Sequence, residues 1–352
     1  MLWAVPSDAC TAVIVSAEAS ATGRPLMWKQ RDSSVGRNYM DYFPATENTF
    51  AFTGIVNSED KERESVWCGS NEMGFSIINT QSYGLSMIIT DDRPYEGMIM
   101  KKALETCCTV EDFEFYIASL QQPNGLESNF GVIDARGGAA WFEVHDLGYT
   151  RFDVKDAPEG YLIRTNWSVT GREGEGKGYD RFDIATSMMA AHEGGFDAEW
   201  IIANMGREKT IARDKTVCSV VIEGPAPSDA PNSAVIWCAP GYTPCAYAIP
   251  TWVAAGDEIA TPLRSINNTG RASALNELAR KLMRNCFLKD DNADKRPLIR
   301  KEVADSEKKE FADGRELDAK LRSGKANVDD IRRYNSRVSD RFNKFFLTLR
   351  TL

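Results

Sequence analysis

The sequence predicts an α+β fold built in layers, with strands in hairpins and helices grouped between them rather than in strict strand-helix alternation. Three observations carry that prediction. The apolar, β-branched run Thr11-Ala-Val-Ile-Val-Ser is followed by a turn, Ala21-Thr-Gly-Arg-Pro, and a second run opening Leu26-Met-Trp-Lys, which is a hairpin pattern. Apolar residues at helical spacing cluster near 97–121, 178–193 and 197–205, between groups of strand signals. From about residue 270 strand signals stop and a charged helical pattern takes over.

The elements follow in order. Further strands are expected at 73–80, 129–135, 139–145 and 160–165, with Arg136-Gly137-Gly138 as the turn joining two of them. Within 97–121, Thr109 followed three residues later by Asp112 marks the start of a second helix. Strands return at 216–222 and 233–238. Near the carboxyl end Ile331, Tyr334, Val338, Phe342, Phe345 and Leu349 recur at intervals of three and four, one apolar stripe that packs on the main body or on a second copy. Residues 301–352 hold 13 Lys and Arg against 10 Asp and Glu, a nearly balanced, solvated polar face. No internal repeat or low-complexity segment interrupts the pattern.

Composition narrows the function. With 352 residues, 43% hydrophobic and 26% charged, the chain has ample length for a deep core and no membrane-spanning run. A net charge of −9 argues against nucleic acid as a partner, because that affinity is carried by clustered Lys and Arg. There are only two histidines, His145 on an expected strand and His192 near a helix end, and both read as structural. Chemistry needing several His ligands, or a His base, has little to draw on, and no metal or cofactor is called for. The eight cysteines contain no C-x-x-C pair, so zinc and dithiol-redox sites are unsupported. They read as buried free thiols, with disulfides in an exported protein as the alternative.

The first nine residues, Met-Leu-Trp-Ala-Val-Pro-Ser-Asp-Ala, place small residues Ser7 and Ala9 at the −3 and −1 positions of a signal-peptidase site, although a charged segment and a long apolar segment are missing. Residues 1–9 therefore read as the remainder of a signal peptide or as a propeptide the protein removes itself. The chain is exported, periplasmic or secreted, in the first case and cytoplasmic otherwise. Either route leaves Cys10 as an amino-terminal residue. Its thiol then carries a base of its own, since an α-amine has a pKa of about 7.7–8.0.

Four motifs in order resemble the N-terminal-nucleophile (Ntn) hydrolases. They are Cys10-Thr-Ala-Val-Ile-Val-Ser, the hairpin Thr22-Gly-Arg-Pro-Leu-Met-Trp-Lys-Gln-Arg-Asp32, Tyr161-Leu-Ile-Arg-Thr-Asn166, and Gly178-Tyr-Asp-Arg-Phe182. Within that superfamily the sequence is most similar to the branch of acyl-coenzyme A:6-aminopenicillanic acid acyltransferases, related to choloylglycine hydrolases, penicillin V acylases and acid ceramidase, over roughly residues 10–250. The resemblance implies a four-layer αββα sandwich, assigned to 10–269, and the change of pattern at 270 makes 270–352 a helical carboxyl-terminal extension. It implies a small-molecule linear amide as substrate, cleaved by hydrolysis or acyl transfer through a thioester.

The resemblance also assigns roles. Cys10 is the nucleophile and Asp32 orients its α-amine. Lys29 stands where an arginine is usual, and whether Arg31 substitutes for it is left open. Asn166 is the oxyanion donor, whose NH2 serves the oxyanion without adding a charge, and Arg181 braces the nucleophile. Asn71-Glu72-Met73-Gly74 resembles the Asn-Glu-x-Gly turn before the strand that delivers a second donor, Asn79 in preference to Gln81. Gly171, Gly174, Gly176 and Gly178 read as a loop beside the pocket, and Trp28, Trp141, Trp167 and Trp252 as either acyl-pocket walls or core. Two other readings remain: a related cysteine dipeptidase, and a lipidated or inactive binding protein. A homo-oligomer through the carboxyl-terminal helices is the expected partner arrangement.

Overall fold

A computed structural model describes residues 9–87 and 96–352. Of the expected leader, residues 1–9, all but Ala9 lies outside the described residues. The chain runs β1 (Thr11–Val15), β2 (Leu26–Asp32), β3 (Asn38–Phe43), β4 (Phe52–Asn57), β5 (Cys68–Asn71), β6 (Ser76–Gln81), α1 (Glu96–Thr106), α2 (Val110–Ala118), β7 (Ser128–Ile133), β8 (Ala139–His145), β9 (Gly148–Asp153), β10 (Tyr161–Arg164), α3 (Tyr179–Ala191), α4 (Ala198–Asn204), β11 (Thr216–Glu223), β12 (Val235–Pro240), β13 (Ile249–Trp252), α5 (Ala274–Leu282), α6 (Arg296–Arg322) and α7 (Val328–Leu349).

The strands form two antiparallel sheets. One has the order β10-β1-β2-β11-β12-β13, and the other runs β3 to β9 in chain order. Ile14 and Met27 of the first sheet share one apolar core with Ile78, Ile133 and Trp141 of the second, so the sheets face each other. That core continues to Ile201, Leu275, Phe311 and Tyr334 on the helices that cover the six-stranded sheet. A separate cluster lies under α1 and α2, where Leu104 and Phe113 meet Phe75, Phe130 and Phe142. The layer order is αββα, as expected from the resemblance.

Local chemistry explains the elements. Thr109 caps α2 and forms a reciprocal capping box with Asp112. The turn between β7 and β8 has Gly137 at φ +89°, where a side chain would be strained. The stripe on α7 is buried within this chain from Ile331 to Leu349, so it packs on the body. Each such large apolar side chain is worth about 1.5–3 kcal/mol on burial, which holds the last helix in place. Among the described residues no helix is long and apolar enough to cross a membrane. Cys68, Cys107, Cys108, Cys218, Cys238, Cys245 and Cys286 are free thiols.

Five strands were not expected. β3 (Asn-Tyr-Met-Asp-Tyr-Phe) and β5 (Cys-Gly-Ser-Asn) contain no β-branched residue. β4 is broken by Gly54, which faces Gly69 so closely that a side-chain carbon there would stand 2.8 Å from the Cys68 carbonyl oxygen. β9 and β13 are edge strands, the position in which the Pro250 of β13 is tolerated.

Candidate active site

Cys10 leads directly into β1. The pairing of Ala12 with Lys29 and Thr11 with Gln30 brings Cys10 alongside Arg31. Cross-strand neighbours share a face, so Cys10, Lys29 and Arg31 all look toward the second sheet. Cys10 is 5% exposed, and its Sγ lies 3.9 Å from the Asp32 carbonyl oxygen.

Lys29 is fully buried. Its Nζ donates to the Trp67 carbonyl at 2.8 Å and to Asn79 Oδ1 at 2.6 Å. Asn79 Nδ2 in turn donates to Ser128 Oγ at 3.2 Å. Arg31 donates to Asn57 Oδ1 at 3.0 Å, and its guanidinium lies 4.7 Å from the Trp67 ring centre. Among the described residues neither cation forms an ion pair with a carboxylate. Burial pulls the Lys29 ammonium below its ordinary value, while the nearby Cys10 and Cys68 pull the other way. Burial pushes the neighbouring Cys68 thiol up to about 11 and Cys218 up to about 12, so both stay protonated at neutral pH. A negative charge developing on Cys10 sulfur would therefore meet two buried cations, neither of them paired with a carboxylate among the described residues.

A second set of contacts grips the Cys10 backbone. Arg181 sits in the first turn of α3 behind Gly178 (φ +80°), where a side-chain carbon would collide with the guanidinium. Arg181 Nη1 donates to the Cys10 carbonyl oxygen and, at 2.9 Å, to Thr11 Oγ1. Its Nη2 donates to Asn166 Oδ1 at 2.7 Å. That bond orients the Asn166 carboxamide, whose Nδ2 donates to the Gln81 carbonyl at 2.7 Å. Asp32 accepts from Thr216 Oγ1 at 2.7 Å and from Arg213 Nε at 3.0 Å. Arg213 Nη2 also reaches the Ala9 carbonyl oxygen at 3.4 Å. Burial pushes the Asp32 carboxyl up, against the pull of Arg213 and Thr216.

The structure thus gathers Cys10, Lys29, Asp32, Asn79, Asn166 and Arg181 into two linked networks around the start of β1. Arg31 has partners of its own, Asn57 and the Trp67 ring, distinct from those of Lys29. Gln81 contributes its main-chain carbonyl, and its side-chain oxygen accepts from Tyr83 instead. Lys29 and Asp32 are not a surface pair, since both are buried with different partners. Asn71 is a turn residue, its Oδ1 accepting from Met73 N and Phe75 N. Trp28, Trp141 and Trp252 are core residues rather than pocket walls. Trp167 packs at a tilt against Tyr179 and edge-on against Phe182 beside the glycine-rich segment. His192 caps the end of α3 and stacks on Trp200.

Sequence reasoning missed Arg213, Thr216, Asn57 and Trp67. Arg213-Asp214-Lys215 reads as an ordinary solvated turn. Only the pairing of Thr216 with Asp32, across 184 positions, places it here.

No protein-family model and no curated protein matches the sequence. Solved structures similar in chain trace include an N-acylethanolamine-hydrolyzing acid amidase ortholog from Caenorhabditis elegans, at 14% identity and a TM-score of 0.46 over 60% of this chain and 92% of that one. A mutant conjugated bile acid hydrolase from Clostridium perfringens gives 12% and 0.44 over 66% and 89%. The penicillin V acylase of Agrobacterium tumefaciens gives 12% and 0.35 over 68% and 86%. At these identities and scores the site has to be argued from its own geometry.

Proposed function

We propose that this protein is an N-terminal cysteine amidohydrolase of the Ntn type, acting on a linear amide through a thioester on Cys10 after residues 1–9 are removed. The observation that carries the reading is the convergence of Arg181 on the Cys10 carbonyl and of the Asp32–Arg213 pair on the Ala9 carbonyl, with buried Lys29 facing the same layer as the thiol.

Once the Ala9–Cys10 bond is broken, the neutral α-amine takes the proton from Sγ and the sulfur attacks the amide carbon. Asp32 favours an orientation of that amine toward the sulfur. Lys29 and Arg31 stabilise the negative charge on sulfur before attack. The carbonyl oxygen becomes an oxyanion, and Asn166, set by Arg181, donates to it with Asn79 as the second donor. Collapse of the tetrahedral centre breaks the C–N bond, and the leaving amine takes the proton held by the α-ammonium. Water, or an acceptor amine in the acyl-transfer variant, then gives up its proton to the α-amine, attacks the thioester and releases the acyl group with regeneration of the thiol. Exposure of Cys10 by the protein itself would begin with the same thiol attacking the Ala9 carbonyl carbon, whose oxygen Arg213 polarises; the Ala9–Cys10 C–N bond breaks as the nitrogen takes the thiol proton, and water then hydrolyses the thioester, releasing residues 1–9 as a carboxylic acid and regenerating the thiol.

The test is amino-terminal sequencing and intact mass, followed by trapping on Cys10 with penicillin V, bile-acid conjugates, N-acyl amino acids and dipeptides. An acyl adduct on an amino-terminal Cys10 supports the reading. Full turnover by a chain that retains residues 1–9 would refute it.

A further inference from the structure

Asn166 follows the last residues of β10, in the six-stranded sheet, whereas Asn79 belongs to β6 of the other sheet. The two amide groups that would share one oxyanion are therefore mounted on different layers. A row of buried polar side chains bridges them. Thr80 on β6 pairs with Asn129 on β7, and Asn129 pairs with Glu143 on β8, so the three share a face. All three are fully buried.

These side chains direct their bonds at the segment carrying Asn166. Asn129 Nδ2 donates to Thr80 Oγ1 at 3.0 Å and to the carbonyl oxygens of Thr165 at 3.3 Å and Trp167 at 3.1 Å. Those carbonyls belong to the residues immediately before and after Asn166. Ser168 Oγ donates back to Asn129 Oδ1 at 2.5 Å. Glu143 accepts from Arg164 Nε at 3.1 Å, Val169 N at 2.8 Å and Thr170 N at 2.9 Å, holding the segment at its two ends. The loop is thus fixed by the opposite sheet on both sides of the candidate oxyanion residue.

We propose that Asn129 is a positioning residue that sets the place of Asn166 in the oxyanion site, with Glu143 holding the flanks of the same segment. The inference rests on the proposed role of Asn166. An oxyanion donor must lie about 2.7–3.1 Å from the developing charge, and a misplacement near 1 Å lowers the rate about 100-fold. Asn129 touches neither Cys10 nor Asp32, so its loss acts on the limiting rate and not on the ionisation of the nucleophile and its base.

The experiment uses the full chain and the substrate from the panel above that acylates Cys10. Rates are expressed per acylable Cys10, so that misfolded protein does not count. Asn129→Asp keeps the shape and replaces the NH2 by an oxygen that faces two carbonyls. It is expected to lower kcat about 10- to 100-fold, with KM and the pH midpoints of kcat/KM unchanged. Ser168→Ala removes the donor to Asn129 Oδ1 together with the 2.6 Å bond between Ser168 Oγ and Ser82 Oγ, and its expected loss is about threefold to tenfold; it decides the question if Asn129→Asp does not fold. A kcat per site within twofold of the parent for the folded variant would overturn the proposal, as would a shifted pH midpoint. Cys10→Ala is assayed alongside. If it retains activity the nucleophile assignment fails, whereas an inactive Cys10→Ala beside normal Asn129 and Ser168 variants removes the positioning role alone.

Discussion

Buried charge is handled differently beside the Cys10 thiol and beneath the carboxyl-terminal helices. Toward the carboxyl-terminal helices the cations meet carboxylates: buried Arg24 pairs with Asp318 at 3.0 Å, and the half-buried Arg207 and Arg341 pair with Glu307 at 2.6 Å and Glu310 at 3.0 Å. Around Cys10, Lys29 and Arg31 meet only carbonyl and carboxamide oxygens and a tryptophan ring, and Arg31 Nη2 has no hydrogen-bond partner among the described residues. Arg181 is likewise bonded to a carbonyl, a hydroxyl and a carboxamide. Leaving buried cations without carboxylates is unfavourable for stability. Its use is chemical, because the positive potential remains available to a thiolate or an oxyanion.

The contrast can be broken by substitution. Cys10→Ala should lower turnover at least about a thousandfold while the fold remains, as judged by circular dichroism and a substrate assay. Asn166→Ala should lower kcat about 100- to 1000-fold with a smaller effect on KM. Lys29→Met should reduce kcat/KM about tenfold or more yet raise the melting temperature, since it removes a desolvated cation and keeps most of the volume.

Lys29 also carries a pH signature. Its folded value is depressed, so just below the unfolded value of about 10.4 the unfolded chain holds a proton that the folded chain has released. Stability from this group therefore rises with pH through that alkaline window, and urea titrations should find the rise weakened in Lys29→Met. The smallest effect on turnover is expected beneath the carboxyl-terminal helices. Arg24→Met leaves Asp318 with Arg322 and Glu223 with Arg315, but strips the Gly224, Glu223 and Ser233 carbonyls of their donor, and should destabilise by about 1–3 kcal/mol with kcat per folded molecule unchanged. A loss of kcat there, or none in Lys29→Met, would erase the distinction between the two regions.

Much of this architecture was legible from local pattern. The stripe on α7 shows because one face is apolar and the other solvated, and the hairpin at Cys10 shows because a β-branched first strand is followed by a turn and a second apolar run. In β2 all seven residues are buried, so alternation carries no signal, and nothing local distinguishes Lys29, which reaches Asn79, from Arg31, which serves Asn57. Asn129 is visible as a polar residue in a buried strand, but its partners at 165–168 depend on how the two sheets face each other. Arg213 is hidden for the same reason: its place beside Asp32 is set by strand pairing between distant parts of the chain.

The central claim is that Cys10, freed at its amino end, is the acyl carrier. Mass spectrometry of the protein quenched during turnover of an acylating amide tests it most directly. The expected result is a chain beginning at Cys10 whose mass is raised by one acyl group, with the adduct on the Cys10 peptide and absent in Cys10→Ala. Turnover with no adduct at Cys10 under conditions that slow thioester hydrolysis, or an adduct on another cysteine, would contradict it.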